Sequence, residues 1–143
     1  MSLYGISQRT TATAAASANQ ELRSAATNKP RLMECGISQN AATAGVYGLG
    51  RPGAIGITPT SPQNAVAEDD ASAPTSLSTV AVAWGTGPTV PTNFNRRISC
   101  TATIGVGVIW TFPRGLDIAV SSSIVIWIIA TAPVNAQWFV ISE

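Results

Sequence analysis

"SSSIVIWIIATAP", residues 121–133, has two physical readings: a membrane span, or a strand whose two faces are both hidden from water. From Ile118 to Ser142 the chain carries no formal charge, so either reading has to account for a long uncharged end. A transmembrane helix needs about 20 predominantly apolar residues, usually with basic or aromatic anchors at its ends. The dense apolar run here is short: residues 124–130 are preceded by three serines and followed by Pro133 and Asn135. Isoleucine, valine and tryptophan fill it, which are the residues a pleated strand favours. The run therefore reads as a strand, and no membrane partner is expected.

Side chains alternate along a strand, so Ile124, Ile126 and Ile128 point one way and Val125, Trp127 and Ile129 the other. Both sets are apolar, and "WFVI" at 138–141 repeats the pattern. In an isolated antiparallel sheet one face normally meets water. Burying a large apolar side chain contributes roughly 1.5–3 kcal/mol, so three left exposed would forgo roughly 4–9 kcal/mol. A second copy of the chain is the expected cover, with Val125, Trp127, Ile129 and Trp138 as the oligomer interface. The alternative is that the N-terminal segment or a Pro-rich segment of the same chain folds over this face.

Working outward, short β-rich runs recur between turn signals: "RLMECGIS", "AGVYGLG", "SLSTVAVAW", "RRISCTAT", "VGVIWTF", "LDIAV", "SIVIWIIA" and "QWFVIS". "NKP", "GTGPTVPTN", "PRG", "SSS" and "APVNA" punctuate them. In "RLMECGIS", Met33, Cys35 and Ile37 recur at period two, as in a half-buried strand. "TATAAASANQELRSAAT" is rich in alanine, but Leu22 is its one large apolar residue, so a helix there has no stripe to bury. It reads as an arm over residues 1–18 leading into a short strand near 21–26. Residues 51–75, with Pro52, Pro59, Pro62 and Pro74, read as a long surface excursion. The predicted fold is all-β: one domain over 1–143, an antiparallel β-sandwich, jelly-roll-like, with an extended N-terminal arm.

Charged residues make up 10% of the chain, against roughly a quarter in an average soluble domain. The net charge of +1 supplies no field for gathering nucleic acid, and no nucleic-acid partner is expected. Residues 1–64 hold five basic residues against Glu21 and Glu34, which leaves room for local contact with an acidic surface. Cys35 and Cys100 lack any metal-ligand spacing and read as buried free thiols. The opening "MSLYGISQRTTATAAASANQ" has neither the basic start nor the apolar run of a secretion signal, so synthesis in a reducing cytoplasm is expected.

Catalytic patterns are sparse. There is no histidine, hence no serine triad of the usual kind and no common zinc site. "GAIGIT" and "GVYGLG" read as turn glycines, not phosphate cradles. Glu68, Asp69 and Asp70 lack an EF-hand pattern and read as a solvated loop, while Glu21, Glu34 and Asp117 are lone carboxylates. No enzyme activity, cofactor or metal is expected. Arg96 and Arg97 suit ion pairs with a partner, or guard a sheet edge. The four tryptophans read as core or interface residues before they read as a sugar platform.

With these residues in view, the chain resembles the small head-decoration, or cement, proteins of tailed bacteriophages. The likeness is one of layout: "YGISQRTTATAAASANQ", "RLMECGIS", the Pro-rich excursion, "RRI" at 96–98, "GVGVIWTFPRGLDI" and a terminal "WFVISE". The resemblance implies a β-sandwich subunit, a homotrimer, made in the host cytoplasm and placed on the outer surface of the virion capsid, where it bridges major capsid protein subunits. Tail, fibre and baseplate subunits share such layouts, and a carbohydrate-binding β-sandwich is the reading from another class. On this view the arm, with Arg9, and the excursion contact the shell, while the C-terminal strands build the subunit. Deleting residues 1–18 is then expected to abolish attachment and leave a folded oligomer.

Overall fold

The computed structural model describes residues 1–10, 17–130 and 135–143, and of Thr10 its backbone alone. The described residues hold no helix and thirteen strands: β1 (Leu3–Thr10), β2 (Ser17–Arg23), β3 (Arg31–Gln39), β4 (Gly45–Gly50), β5 (Ile57–Pro59), β6 (Gln63–Asn64), β7 (Val66–Ala67), β8 (Thr79–Ala81), β9 (Trp84–Thr86), β10 (Arg96–Cys100), β11 (Gly107–Asp117), β12 (Ser123–Ala130) and β13 (Asn135–Ser142). A five-stranded antiparallel sheet runs β11-β3-β13-β1-β7, and a six-stranded one runs β10-β4-β12-β2-β8-β6. β5 and β9 form a small ribbon of their own. The fold is all-β and sandwich-like.

Period-two alternation explains how the sheets meet. β12 sends Ile124, Ile126 and Ile128 inward, β13 sends Phe139 and Ile141, and these join Leu22, Leu32, Cys35, Ile37, Tyr47 and Leu49 in one core drawn from both sheets. The expected alternation in β3 is broken by a register shift opposite Val140/Ile141. Leu32 is fully buried and Met33 only half-buried, while Cys35 and Ile37 stay inside. A bulge of this kind adds one residue and flips the side chains on one side of it.

Four pairings tie the two halves of the chain together: β1 with β13, β2 with β12, β3 with β11, and β4 with β10. Along the chain, β1 to β4 alternate between the two sheets and so do β10 to β13, with β4 and β10 side by side in the six-stranded one. The extended arm expected over residues 1–18 is corrected here. Residues 3–10 are a full strand of the five-stranded sheet, paired along their length with β13, with Tyr4 buried. Residues 17 and 18 already belong to β2, and residues 11–16 of the expected arm, like residues 131–134, lie outside the described residues. "YGISQRT" looks polar because only Tyr4 and Ile6 present apolar side chains to the core. The next inward residue, Gln8, accepts a hydrogen bond from Gln20 Nε2 (3.3 Å).

That bond belongs to a polar end of the interior. Gln39 Nε2 donates to Tyr47 Oη (3.0 Å), Tyr47 donates to Asn135 Oδ1 (2.8 Å), and Asn19 Nδ2 donates to Gln137 Oε1 (3.3 Å). Gln20, Gln39, Asn135 and Gln137 are fully buried. Burial without partners would cost each amide a few kcal/mol, so the amides hydrogen-bond one another.

Cys35 and Cys100 are free and buried. Burial pushes the Cys35 thiol up to about 12 from 9.0, with Glu34 adding to the shift, and burial also raises Cys100 and Tyr47. A raised value means the folded chain keeps a proton that the unfolded chain has lost. Stability is therefore complete below pH 9 and falls as pH rises towards about 12. From Cys35 alone the expected loss is about 1.4 kcal/mol per pH unit in that window. Thermal melts from pH 8 to 11 check it: Cys35→Ala flattens the alkaline branch, and an identical slope in the variant refutes the assignment.

Candidate functional site: an uncovered sheet face

The outer faces of the two sheets are treated differently by the chain. On the six-stranded sheet, β12 turns Val125 and Trp127 outward, yet both have no exposed surface. They pack with Ala18 and with the half-buried Trp84, Phe94 and Ile129. Phe94 lies over Gly48, where a Cβ would come within 2.7 Å of its ring, and Trp127 Nε1 donates to Gly50 O (3.3 Å). The cover is thus residues 84–94 of the same chain. This corrects the expectation that Val125 and Trp127 form an oligomer interface: side chains with no accessible area in the single chain have none to give to a partner. Ile129 keeps part of its surface.

Glu21 pins this cover. Its side chain is fully buried on the same outer face, opposite Val125. Trp84 Nε1 (2.8 Å) and Arg23 Nε (2.8 Å) donate to Oε2, while Ser123 Oγ (2.7 Å) and the Gly56 amide (3.1 Å) donate to Oε1. Arg23 in turn donates to Gly56 O. One carboxylate thereby holds β12, β9 and the residues before β5 to β2. In the sequence Glu21 reads as a lone carboxylate. The signal was Arg23, two residues on and so on the same face of a strand.

Glu143 does the same at the other end. Its Oε1 accepts from Asn28 Nδ2 (2.8 Å) and the Ser78 amide (2.9 Å), and its Oε2 from the Leu77 amide (3.0 Å).

Among the described residues no such cover lies on the five-stranded sheet. Trp138, half-buried, spreads over Gly36, where a Cβ would fall 2.1 Å from the indole ring. Its Nε1 donates to Glu34 Oε1 (3.1 Å), which fixes the ring flat on the sheet. Shallow depressions of about 440 and 340 Å³ flank it. The first is lined by Gly5, Ser7, Val66 and Val140, the second by Ser38, Gly107 and Ile109. Val66 (70% exposed) and Ile109 (58%) stand at its two sides. Arg9, exposed near the end of β1, and Glu68, lying over Gly5, put opposite charges along that strand.

The structure separates the predicted site residues. Arg9 and Trp138 belong to this face, while Arg96 and Arg97 are exposed on β10, an edge of the other sheet. Arg96 stacks on Phe112 (5.3 Å to the ring centre) and Arg97 on Phe94 (5.9 Å). Asp117 pairs with Arg31 (2.8 Å) in the open, a contact that contributes little. Asp69 and Asp70 accept from the Leu3 and Ser72 amides (3.0 and 2.8 Å), so they serve as loop caps. Among the described residues no three cysteines or carboxylates gather as metal ligands, and no helix is long and apolar enough to cross a membrane.

No family model matches the chain, and neither a curated protein nor a solved structure matches it.

Proposed function

We propose that the chain is a jelly-roll structural subunit of a phage virion, a decoration or cement protein that packs with copies of itself and bridges major capsid protein subunits on the outside of the head. The observation that carries this reading is the asymmetry of the two outer faces. The chain covers the six-stranded sheet with its own residues, whereas among the described residues none covers the five-stranded one, with Trp138 laid across it. The nested pairing of β1 with β13 through β4 with β10 supports the jelly roll, an architecture used by capsid proteins and lectins. Arg9 and Glu68, at opposite ends of β1, offer charge complementarity to a neighbouring copy. An oligomer binding several shell subunits at once gains effective concentration, so modest contacts sum to firm attachment.

Light scattering of the purified chain is expected to give three times 14.7 kDa, and Trp138→Ala a folded protein of lower mass. A monomeric parent chain contradicts the self-packing. Electron microscopy of virions separates head decoration from a tail, fibre or baseplate location. A carbohydrate-binding module is the second reading, favoured by the exposed side of the Trp138 ring between two depressions. Glycan-array binding lost in Trp138→Ala selects it.

A further inference from the structure

Among the described residues the edge strand β11 has one hydrogen-bonded neighbour, β3, and no strand on its other side. Gln39 N donates to Val106 O (2.8 Å), so alternation turns Val108 and Trp110 towards β3 and turns the N–H and C=O of Ile109 and Thr111 outward. Residues 107–111, "GVIWT", contain no charge and no proline, the devices that usually blunt an edge. Among the described residues the other edges are guarded or short: β10 carries Arg96 and Arg97, β6 and β7 have two residues each, and β1 beyond its pairing with β7 carries Arg9.

The surroundings of this edge are apolar and basic. Ile109 borders the depression beside Trp138 on the outer side. On the inner side β10 and β11 face each other across a seam where Ile98, Val108, Trp110 and Phe112 are only half-buried. A depression of about 380 Å³ there is lined by Arg96, Phe112, Pro113 and Arg114. Arg96, Arg97 and Arg114 are exposed, and among the described residues none forms an ion pair. The nearest acid along β11, Asp117, is taken by Arg31.

We propose that β11 is a strand-addition site for an extended, acidic polypeptide segment. The segment's backbone pairs with Ile109 and Thr111, one row of its side chains covers Ile109 beside Trp138, and the other enters the seam, where carboxylates meet Arg96 and Arg114. Charge complementarity selects this occupant over a second copy, whose own β11 edge would bring the same arginines against these. The inference rests on the reading above only in taking the partner to be protein. Its test uses the purified chain and a synthetic peptide, so it can fail while attachment to shells stands.

Backbone recognition tolerates sequence, so a capped octapeptide alternating Glu and Val serves as probe, with a Lys/Val octapeptide as control. The Glu/Val peptide is expected to bind at least tenfold tighter than the control and to slow hydrogen exchange at the Ile109 and Thr111 amides. Ile109→Pro removes one outward donor at an edge position that tolerates proline, and is expected to weaken binding at least tenfold with the circular dichroism unchanged. Thr111→Pro gives the same answer if Ile109→Pro does not fold. Arg96→Ala combined with Arg114→Ala is expected to bring the Glu/Val peptide down to the level of the control. Absence of binding, equal binding of the two peptides, or protection confined to other strands overturns the proposal. So does a peptide-free dimer in which both amides are already protected, because the edge then belongs to a second copy.

Discussion

Deleting residues 1–10 yields a chain with no cooperative melting transition. β1 is not a detachable arm: it pairs with β13 from Leu3↔Ser142 to Thr10↔Asn135 and with β7 at its outer side. Its loss strips one ladder from β13, opens the core beside Phe139 and Ile141, and removes Tyr4 and Ile6 from that core. Two large side chains contribute roughly 3–6 kcal/mol by burial alone, against a total stability of about 5–15 kcal/mol for a typical domain. The lost hydrogen bonds add to this. Loss of shell attachment in such a truncation would therefore report unfolding, and attachment has to be tested with substitutions at exposed positions such as Arg9. A truncation that melts like the parent chain would falsify the assignment of β1 to the sheet.

Glu21→Ala is expected to destabilise by about 3–5 kcal/mol, the range for removing one partner of a buried ion pair. The substitution leaves the Trp84 indole N–H, the Ser123 hydroxyl, the Gly56 amide and the Arg23 guanidinium without their acceptor. Unmade buried hydrogen bonds cost more than made ones contribute, so the loss concentrates where the cover meets the six-stranded sheet. The cover should loosen before the sandwich does, exposing Trp127 and shifting tryptophan emission to the red. Glu21→Gln keeps the shape and one acceptor oxygen, and should lose less. Denaturant melts decide: a Glu21→Ala midpoint matching the parent's would mean that the four bonds hold nothing in place.

The strands that carry large apolar residues at period two were legible. "SIVIWIIA", "QWFVIS" and "RLMECGIS" map onto β12, β13 and β3, and the two-faced reading of residues 124–129 agrees with their burial on both sides. What covers the second face was not legible, because periodicity reports that a face is apolar and not which segment lies on it. Trp84 and Phe94 sit among prolines, glycines and threonines, where no period marks them as a lid. β1 was missed for a related reason: after Tyr4 and Ile6 its next inward residue is the half-buried Gln8, hydrogen-bonded to the Gln20 amide, and hydropathy scores such a polar interior as surface. "SLSTVAVAW", read as one strand, divides into β8 and β9, which pair with different partners. Of the site, Trp138 was named as an interface residue, but the glycine beneath it at Gly36, one strand away, becomes visible only once the register of β3 against β13 is known.

The nested pairing also sets a timetable. β13 lies between β3 and β1 in the five-stranded sheet, so β1 leaves the ribosome well before the strand it needs on its inner side. Contacts between distant parts of a chain form slowly because loop closure precedes any gain from them. Until synthesis reaches residue 142, β1 waits with its inner edge open, a hazard for pairing between nascent chains on one message. Refolding on the millisecond-to-second scale, slower at high chain density, is the behaviour this order of assembly implies.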